Sequence, residues 1–468
     1  MRKHAHEQSE LPRKSSAFAC LASAALAGLS LVTPAFGEGY RPPVVELEDY
    51  ERVPLPTGFG VQQTDADGPV FTDARGMTLY SWPLELQRNG NAGEAPGRPG
   101  CDNTRYTVNE KLEGGPAGFI LPEVDTRPSC IDLWPPVYAD ENAKPVGSFT
   151  VLARNDGRKQ WAYNGYALYT SILDKKPGQV NGGASRTYYL TAHHSVPRKP
   201  VGPPPNVPPA FLVRTVATGR IILTRDGSSV YTFDRDGPGK SNCADACLAE
   251  WTPISAGSLT LPQGEWGVIE RSPGVRQWTF RGEPLYTHNL DRRPGGLEGS
   301  DVPGWHNAYT QKNPDPPEEF TVQDTSIGQV LADRNGKTLY VYNCGESTPD
   351  QLACDHPTTT QVYRLTICGN FDATRCNRTW RYVPAPANAA SRSLIWRAAW
   401  IDAETGRFVD EHASNALHIW TFRDRPIYTF ALDARPGETR GDAWGEDHGA
   451  RNGFVAFWLR DDFWGGAK

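Results

Sequence analysis

The residues whose types and spacing suit chemistry are a recurring tyrosine–acid pair, two cysteines one helical turn apart, and scattered histidines. The pair reads Tyr-x-aromatic-x-x-acid. Its tyrosines are Tyr80, Tyr169, Tyr231, Tyr286, Tyr340 and Tyr428, and its acids include Asp174, Asp236, Asp291 and Asp433. Glu85 replaces Asp after Tyr80, and Cys344-Gly345-Glu346 stands where the acid after Tyr340 belongs. Two carboxylates about 5–9.5 Å apart in one cleft would serve a glycosidase. Calcium needs roughly six to eight oxygens, and no D-x-D-x-D-G run occurs. General acid–base work needs two groups in different environments, whereas these acids repeat one environment. Asp174, Asp291 and Asp433 each precede Pro-Gly at one spacing (Pro177-Gly178, Pro294-Gly295, Pro436-Gly437), and Asp236 precedes Pro238-Gly239 one residue sooner. The expected role is therefore structural: an acid accepting backbone N–H bonds at the start of a turn.

Cys243-x-x-x-Cys247 has the spacing of a periplasmic copper or redox thiol pair, with His288 or His306 as a further ligand. The other mature histidines are His193, His194, His356, His412, His418 and His448, and none shows H-x-H or i, i+4 spacing. The competing reading is a disulfide. An even set of eight cysteines remains once Cys20 is removed with the leader: Cys101, Cys130, Cys243, Cys247, Cys344, Cys354, Cys368 and Cys376. Cys130, Cys247 and Cys376 each lie four residues before a tryptophan (Trp134, Trp251, Trp380). The repeat then predicts Cys101–Cys130, Cys243–Cys247 and Cys354–Cys376, leaving Cys344–Cys368 by elimination. Such unequal spacings suit staples and not a thiol–metal site. Cys-x-x-Cys-His, a nucleophile elbow, a phosphate loop and a dinucleotide fingerprint are all absent. No metal or cofactor is expected.

The elements that must hold these residues follow from the repeat. Trp161, Trp278 and Trp420 stand eight residues before Tyr169, Tyr286 and Tyr428. The other three tyrosines follow Gly-containing turns, at Asp73–Gly76, Asp226-Gly227 and Asp333–Gly336. The two kinds alternate, giving three modules of two hairpins each. Val151-Leu152-Ala153 and Trp266–Ile269 read as strands. Asp156-Gly157 and Asn164-Gly165 read as hairpin turns. The one good helical turn spans Cys243–Glu250. With 40 Pro and 46 Gly, the fold class is all-β: three tandem disulfide-stapled, hairpin-rich modules. A six-bladed propeller-like ring is the alternative, disfavoured because proline-rich joints suit independent units. The expected boundaries are a signal peptide at 1–37, a lead-in at 38–54, and modules at 55–196, 211–312 and 320–468. Linkers fill 197–210 and 313–319.

The leader reading rests on Arg2, Lys3, Arg13 and Lys14, an uncharged Ala/Leu-rich stretch over 17–32, and Ala35-Phe36-Gly37 before the cut. No transmembrane segment remains after cleavage, and the location is periplasmic or secreted. The net charge of −6, made more negative by losing a basic leader, argues against nucleic acid.

These motifs resemble the secreted-repeat family of lipoproteins with a Yx(F/W/Y)xxD motif. The second module carries the fullest set: Tyr231-Thr-Phe233-Asp-Arg-Asp236, Cys243, Cys247, Trp251-Thr-Pro253, Gln277-Trp278 and Leu285-Tyr286. The sequence departs from the pattern at Ser171 and His288, which replace the middle aromatic, and in lacking a lipid-attachment cysteine. The resemblance implies an exported all-β repeat protein in a family of unassigned function. The expected function is a non-catalytic binding or scaffold protein of the bacterial cell envelope, with another envelope or periplasmic protein as partner. The alternatives are a periplasmic metal-handling or electron-transfer accessory and a carbohydrate-active enzyme. Most of the 14 Trp and 18 Tyr should be core, and Tyr163, Trp82, Trp458 and Trp464 are the candidates for exposed stacking surfaces.

Overall fold

The computed structural model describes residues 47–83, 94–103, 129–182, 199–291, 295–343, 362–369, 372–391, 393–442, 444–445 and 453–461. Over these the chain is all-β. Its short strands form many small antiparallel sheets, joined by helices of four to eight residues. No helix among the described residues is long and apolar enough to cross a membrane.

The same order of hairpins recurs three times along the described chain. Each repeat begins with a hairpin: Gly60–Gln63 with Pro69–Thr72, Phe211–Val216 with Gly219–Thr224, and Thr321–Thr325 with Gly328–Ala332. A turn then leads to a strand carrying the first tyrosine: Tyr80–Ser81, Tyr231–Phe233 or Leu339–Asn343. A second hairpin follows: Phe149–Ala153 with Lys159–Tyr163, Trp266–Ser272 with Val275–Phe280, and Trp396–Asp402 with Ala416–Phe422. Aromatic and β-branched residues favour these strands. In Lys159–Tyr163, Gln160 and Ala162 are buried and their neighbours are not, the period-two pattern of a strand with one face on the core. A two-residue turn reverses the chain toward the second tyrosine. Asn164-Gly165 has φ of 49° and 85°, the left-handed pair that a tight hairpin turn requires.

The two tyrosines of each module are direct cross-strand partners. Tyr80 faces Tyr169, Tyr231 faces Tyr286 and Tyr340 faces Tyr428. The alternation of two tyrosine kinds along the chain is thus the meeting of two strands at the centre of each module.

The run at 197–210 is no free spacer over its described part. Lys199–Pro200 pairs with Tyr80–Ser81, so Pro200 stands opposite Tyr80 as Asn307 stands opposite Tyr231 and Ala456 opposite Tyr340. The next bonds repeat as well, each at 2.8 Å: Val201 N–H to Leu79 O, Ala308 N–H to Val230 O, and Phe457 N–H to Leu339 O. Lys199–Pro200 is the closing strand of the first module, at a sheet edge where a proline's missing N–H costs no ladder bond. Other prolines start each unit. The N–H groups of Phe59, Phe211 and Phe320 donate to the carbonyls of Pro56, Pro208 and Pro317 at 3.0, 2.9 and 2.9 Å. The described part of the lead-in is also held in place, because buried Glu48 makes a two-point ion pair with Arg220 at 2.7 Å.

Cys130, Cys247, Cys368 and Cys376 sit on short helices. Helices α1 (Cys130–Leu133), α2 (Cys247–Glu250) and α4 (Ala373–Thr379) each end at the tryptophan four residues past a cysteine. The tryptophan's backbone N–H bonds the carbonyl of that cysteine. This explains the Cys-x-x-x-Trp spacing. Cys101–Cys130 and Cys243–Cys247 are bonded, each with Cα atoms 5.3 Å apart. The third module departs from expectation. Cys368 bonds Cys376, with Cα atoms 4.8 Å apart, which overturns both Cys354–Cys376 and Cys344–Cys368. The reason is a helical hairpin. Cys368 lies at the end of α3 (Val362–Gly369), and α4 follows at once behind Asp372, whose side chain caps it through Thr374 N and Arg375 N. Closing a short loop costs little entropy, so the near cysteine takes the bond. Cys344 and Cys354 lie outside the described residues. Non-reducing peptide mapping is expected to yield linked peptides for Cys101–Cys130, Cys243–Cys247 and Cys368–Cys376.

The modules share more than their joints, and residues 39–468 cluster as one unit. The tip of the first hairpin reaches both other modules. Thr64 O accepts from Gln311 Nε2 at 2.6 Å, Asp65 Oδ2 accepts from Leu394 N at 2.6 Å, and Ala66 is buried in the third module's core. Asp67 pairs with Arg423 at 2.7 Å. Arg423 and Asp424 form the third module's tight turn, with φ of 48° and 63° and no glycine. Both are buried against the first module, where Arg423 also donates to Val180 O (2.9 Å) and Asp424 accepts from Asn181 Nδ2 (2.8 Å).

Candidate functional site: the crossed tyrosine–acid pairs

Because the two tyrosine strands of a module are antiparallel partners, the hydroxyl of the first tyrosine reaches the acid that follows the second. Tyr80 donates to Asp174 at 2.7 Å, Tyr231 to Asp291 at 2.8 Å and Tyr340 to Asp433 at 2.6 Å. In the second module the reciprocal bond is also made, from Tyr286 to Asp236 at 2.6 Å. In the first, Tyr169 donates to Glu94 at 2.5 Å. Glu94 comes from the Gly/Asn/Pro-rich insertion between Arg88 and Gly100 and was not singled out by the motif. Glu85 lies outside the described residues, as does Glu346. Tyr428 is 1% exposed and packs on Tyr382 at 5.0 Å, with the Arg364 guanidinium 5.8 Å from its ring.

The other oxygen of each aspartate closes the turn behind it. Asp174, Asp236, Asp291 and Asp433 accept from the backbone N–H groups of Asn181 (2.7 Å), Asn242 (2.6 Å), Gly299 (3.2 Å) and Arg440 (2.9 Å). Each carboxylate thus bonds a phenol on one oxygen and a turn on the other. Such an arrangement fastens two half-modules. It leaves no oxygen of these four acids without a hydrogen bond.

Two further repeats support the pairs. Asp-x-x-Pro-Gly-x-x-x-Gly occurs at 174–182, 291–299 and 433–441. A side chain at its last glycine would collide with the module's central rings. A Cβ on Gly182 would lie 2.8 Å from Trp134, on Gly299 2.7 Å from Tyr231, and on Gly441 2.5 Å from Trp380. The second repeat is an arginine six residues before the glutamine that precedes Trp161 or Trp278. Arg154 donates to Gln160 and to Cys101 O (2.8 Å), and Arg271 donates to Gln277 (2.9 Å) and Cys243 O (2.6 Å). Each glutamine passes the chain of bonds on to a carbonyl, Leu168 O or Leu285 O, at 2.8 Å. The spacing of both repeats was readable in the sequence.

Burial sets the electrostatics. It pushes Asp174 up to about 7, against the pull of the Tyr80 and Asn181 bonds. It also raises Asp291 and Asp433. The phenols rise for the same reason and because an acid sits beside each: Tyr80, Tyr231 and Tyr340 well above their ordinary value, and Tyr286 to about 12. A raised carboxyl means that the folded chain keeps a proton the unfolded chain has released. Stability is then expected to fall as pH rises from about 4 to about 7, by at most about 1.4 kcal/mol per unit for Asp174, and to level off above. Asp156 and Glu438, held near 2 by hydrogen bonds from Arg158 and Arg435, act only below that window. Urea midpoints at pH 4.5–8 check this, and Asp174→Asn should flatten the profile.

The remaining candidates are dispersed. His288 is buried, bonds Asp291 at 3.0 Å and lies 4.4 Å from the Trp251 ring. His306 pairs with Asp234 at the surface, His412 lies beside Glu411, and His418 stacks on Trp400. His193, His194, His356, His448 and Trp464 lie outside the described residues. Among those described, no three His, Cys, Asp or Glu side chains converge on a metal position. Trp278 and Trp420 are buried, as are Trp82 and Trp458, whereas Trp161 and Tyr163 are half-buried.

Residues 150–185 and 213–255 match the model of a family described as a secreted repeat of unknown function. The first segment holds Tyr169 and Asp174 and the second holds Tyr231 and Asp236, one half-module of each kind. No curated protein and no solved structure matches the chain. Two segments of the chain are therefore similar to this secreted repeat.

Proposed function

We propose that the protein is an exported, non-catalytic binding or scaffold protein of the bacterial cell envelope, with another envelope or periplasmic protein as its partner. The observation that carries this reading is the engagement of the motif acids. Asp174, Asp236, Asp291 and Asp433 each spend both oxygens on a tyrosine and a turn. A general acid or base works through a lone pair or proton directed at substrate, and bonds that fix both oxygens within the fold favour a structural role instead. The disulfide at Cys243–Cys247 likewise takes up the thiols that a copper or redox site would use. The secreted character of the repeat supports export, and the periplasm is the compartment we assign. On this reading Tyr80, Tyr169, Tyr231, Tyr286, Tyr340 and Tyr428 are fasteners that keep three modules rigid for display. In-cell cross-linking of the full-length protein tests the proposal. A discrete protein adduct supports it. Stoichiometric copper lost on Cys243→Ser, or glycan hydrolysis lost on Asp236→Asn, overturns it.

A further inference from the structure

Trp161 differs from its two equivalents. Trp161, Trp278 and Trp420 occupy one position of the repeat, opposite Val151, Val268 and Ala398 in the second hairpin. Trp278 and Trp420 are buried, at 7% and 4% exposure, and Trp161 is half-buried. Two differences within the repeat accompany this. Where the other modules place Trp266 and Trp396 at the start of that hairpin, the first has the smaller Phe149. Where the third has Glu319, which accepts from the Trp420 indole N–H at 2.7 Å, the first has Gly58, with no side chain to lie there. The indole consequently lines an open cleft of about 700 Å³, within the size range of small-ligand sites.

The walls of this cleft define a ligand class. Phe59, Pro136 and Tyr138 join Trp161 in an apolar lining. The rim is polar and balanced in sign: Asp73 and Arg75 neutralise each other at 2.8 Å, and Asp140 and Lys144 stand exposed nearby. Such a rim favours neither an anion nor a cation, but it offers donors and acceptors to hydroxyl groups. A proline-rich peptide would need slots between rings. Phe59 meets Trp161 edge-on at 5.7 Å and 64°, which closes the space between those two, and Arg158 covers one face of Tyr138 at 4.0 Å. What remains is a ring surface bordered by hydrogen-bonding groups, the complement of the C–H face of a pyranose and its equatorial hydroxyls.

We infer that the Trp161 cleft of the first module binds a neutral oligosaccharide, stacking one sugar ring on the indole. The inference stands on residues other than the tyrosine–acid pairs and holds whether or not a protein partner exists. Calorimetric titration of the full-length protein with chitotetraose, cellotetraose and a proline-rich decapeptide tests it. One saturable site is expected for at least one sugar. Affinity should fall about tenfold or more on Trp161→Ala, and less on Trp161→Phe, which keeps a ring. Because Trp161 also touches the core, Tyr138→Ala on the exposed rim serves as the variant that keeps the fold and should weaken binding severalfold. The inference is overturned by no binding of either sugar, by binding that survives both alanine variants in folded protein, or by saturation with the peptide alone.

Discussion

Replacing Asp67 by Ala is expected to lower stability by about 3–5 kcal/mol, the usual cost of leaving a buried charge without its partner. The Arg423 side chain is 1% exposed and Asp67 16%. Their 2.7 Å bond joins the first hairpin to a turn of the third module, two parts of the chain 356 residues apart. Losing it removes the hydrogen-bonded carboxylate from a buried guanidinium that keeps its bond to Val180 O, at the junction where Ala66, Asn181 and Asp424 also meet. Arg423 and Asp424 hold positive φ without glycine, a cost of about 1–3 kcal/mol each that persists only where surroundings dictate it. Asp67→Ala removes part of what dictates it. Denaturant unfolding of the variant should show a much lower midpoint. A loss below about 1 kcal/mol would mean that the pair behaves as a surface ion pair and that the modules do not depend on this junction.

The second large effect is expected at Gly441. A Cβ there would stand 2.5 Å from Trp380 and 3.0 Å from both Phe430 and Tyr340. These are the rings of the third module's centre, with Trp380 stacked on Phe454 at 3.6 Å. No flexible side-chain end is available to yield, so Gly441→Ala forces ring movement and should cost about 3 kcal/mol, at the upper end of overpacking effects. The same change also disturbs the Gly441 N–H bond to the Tyr340 hydroxyl. Gly237→Ala is the control, since a Cβ there meets nothing within 4 Å, and its thermal midpoint should stay within about 1 °C of the parent.

Much of the design was legible because it is local. The tryptophan eight residues before a tyrosine reflects one strand, one tight turn and one return strand: Leu168 N bonds Trp161 O and Leu285 N bonds Trp278 O. The cysteine four before a tryptophan is one helical turn and its end. What was not legible is non-local or runs against local preference. Tyr80 and Asp174 are 94 residues apart and Tyr340 and Asp433 are 93 apart, so no window of sequence reveals that the pairs cross. The β-branched residues Val362, Thr366 and Ile367 gave no helical signal, yet α3 forms and brings Cys368 to Cys376. The prolines of 197–210 looked like a spacer by composition, while their backbone satisfies the first module's closing strand and starts the second. Glu94 fills the place of a motif acid from within a Gly- and Pro-rich insertion, where spacing carries no information.

The central claim is that the repeated tyrosines and acids are crossed fasteners between half-modules. Double-mutant cycles in the second module test it most directly, because there both crossed bonds are seen, Tyr231 with Asp291 and Tyr286 with Asp236. Tyr231→Phe with Asp291→Asn, and Tyr286→Phe with Asp236→Asn, should each show coupling of about 1–2 kcal/mol in unfolding free energy. Tyr231→Phe with Asp236→Asn, the pair within one motif, should be additive to within about 0.5 kcal/mol. Coupling within the motif and additivity across the strands would contradict the account.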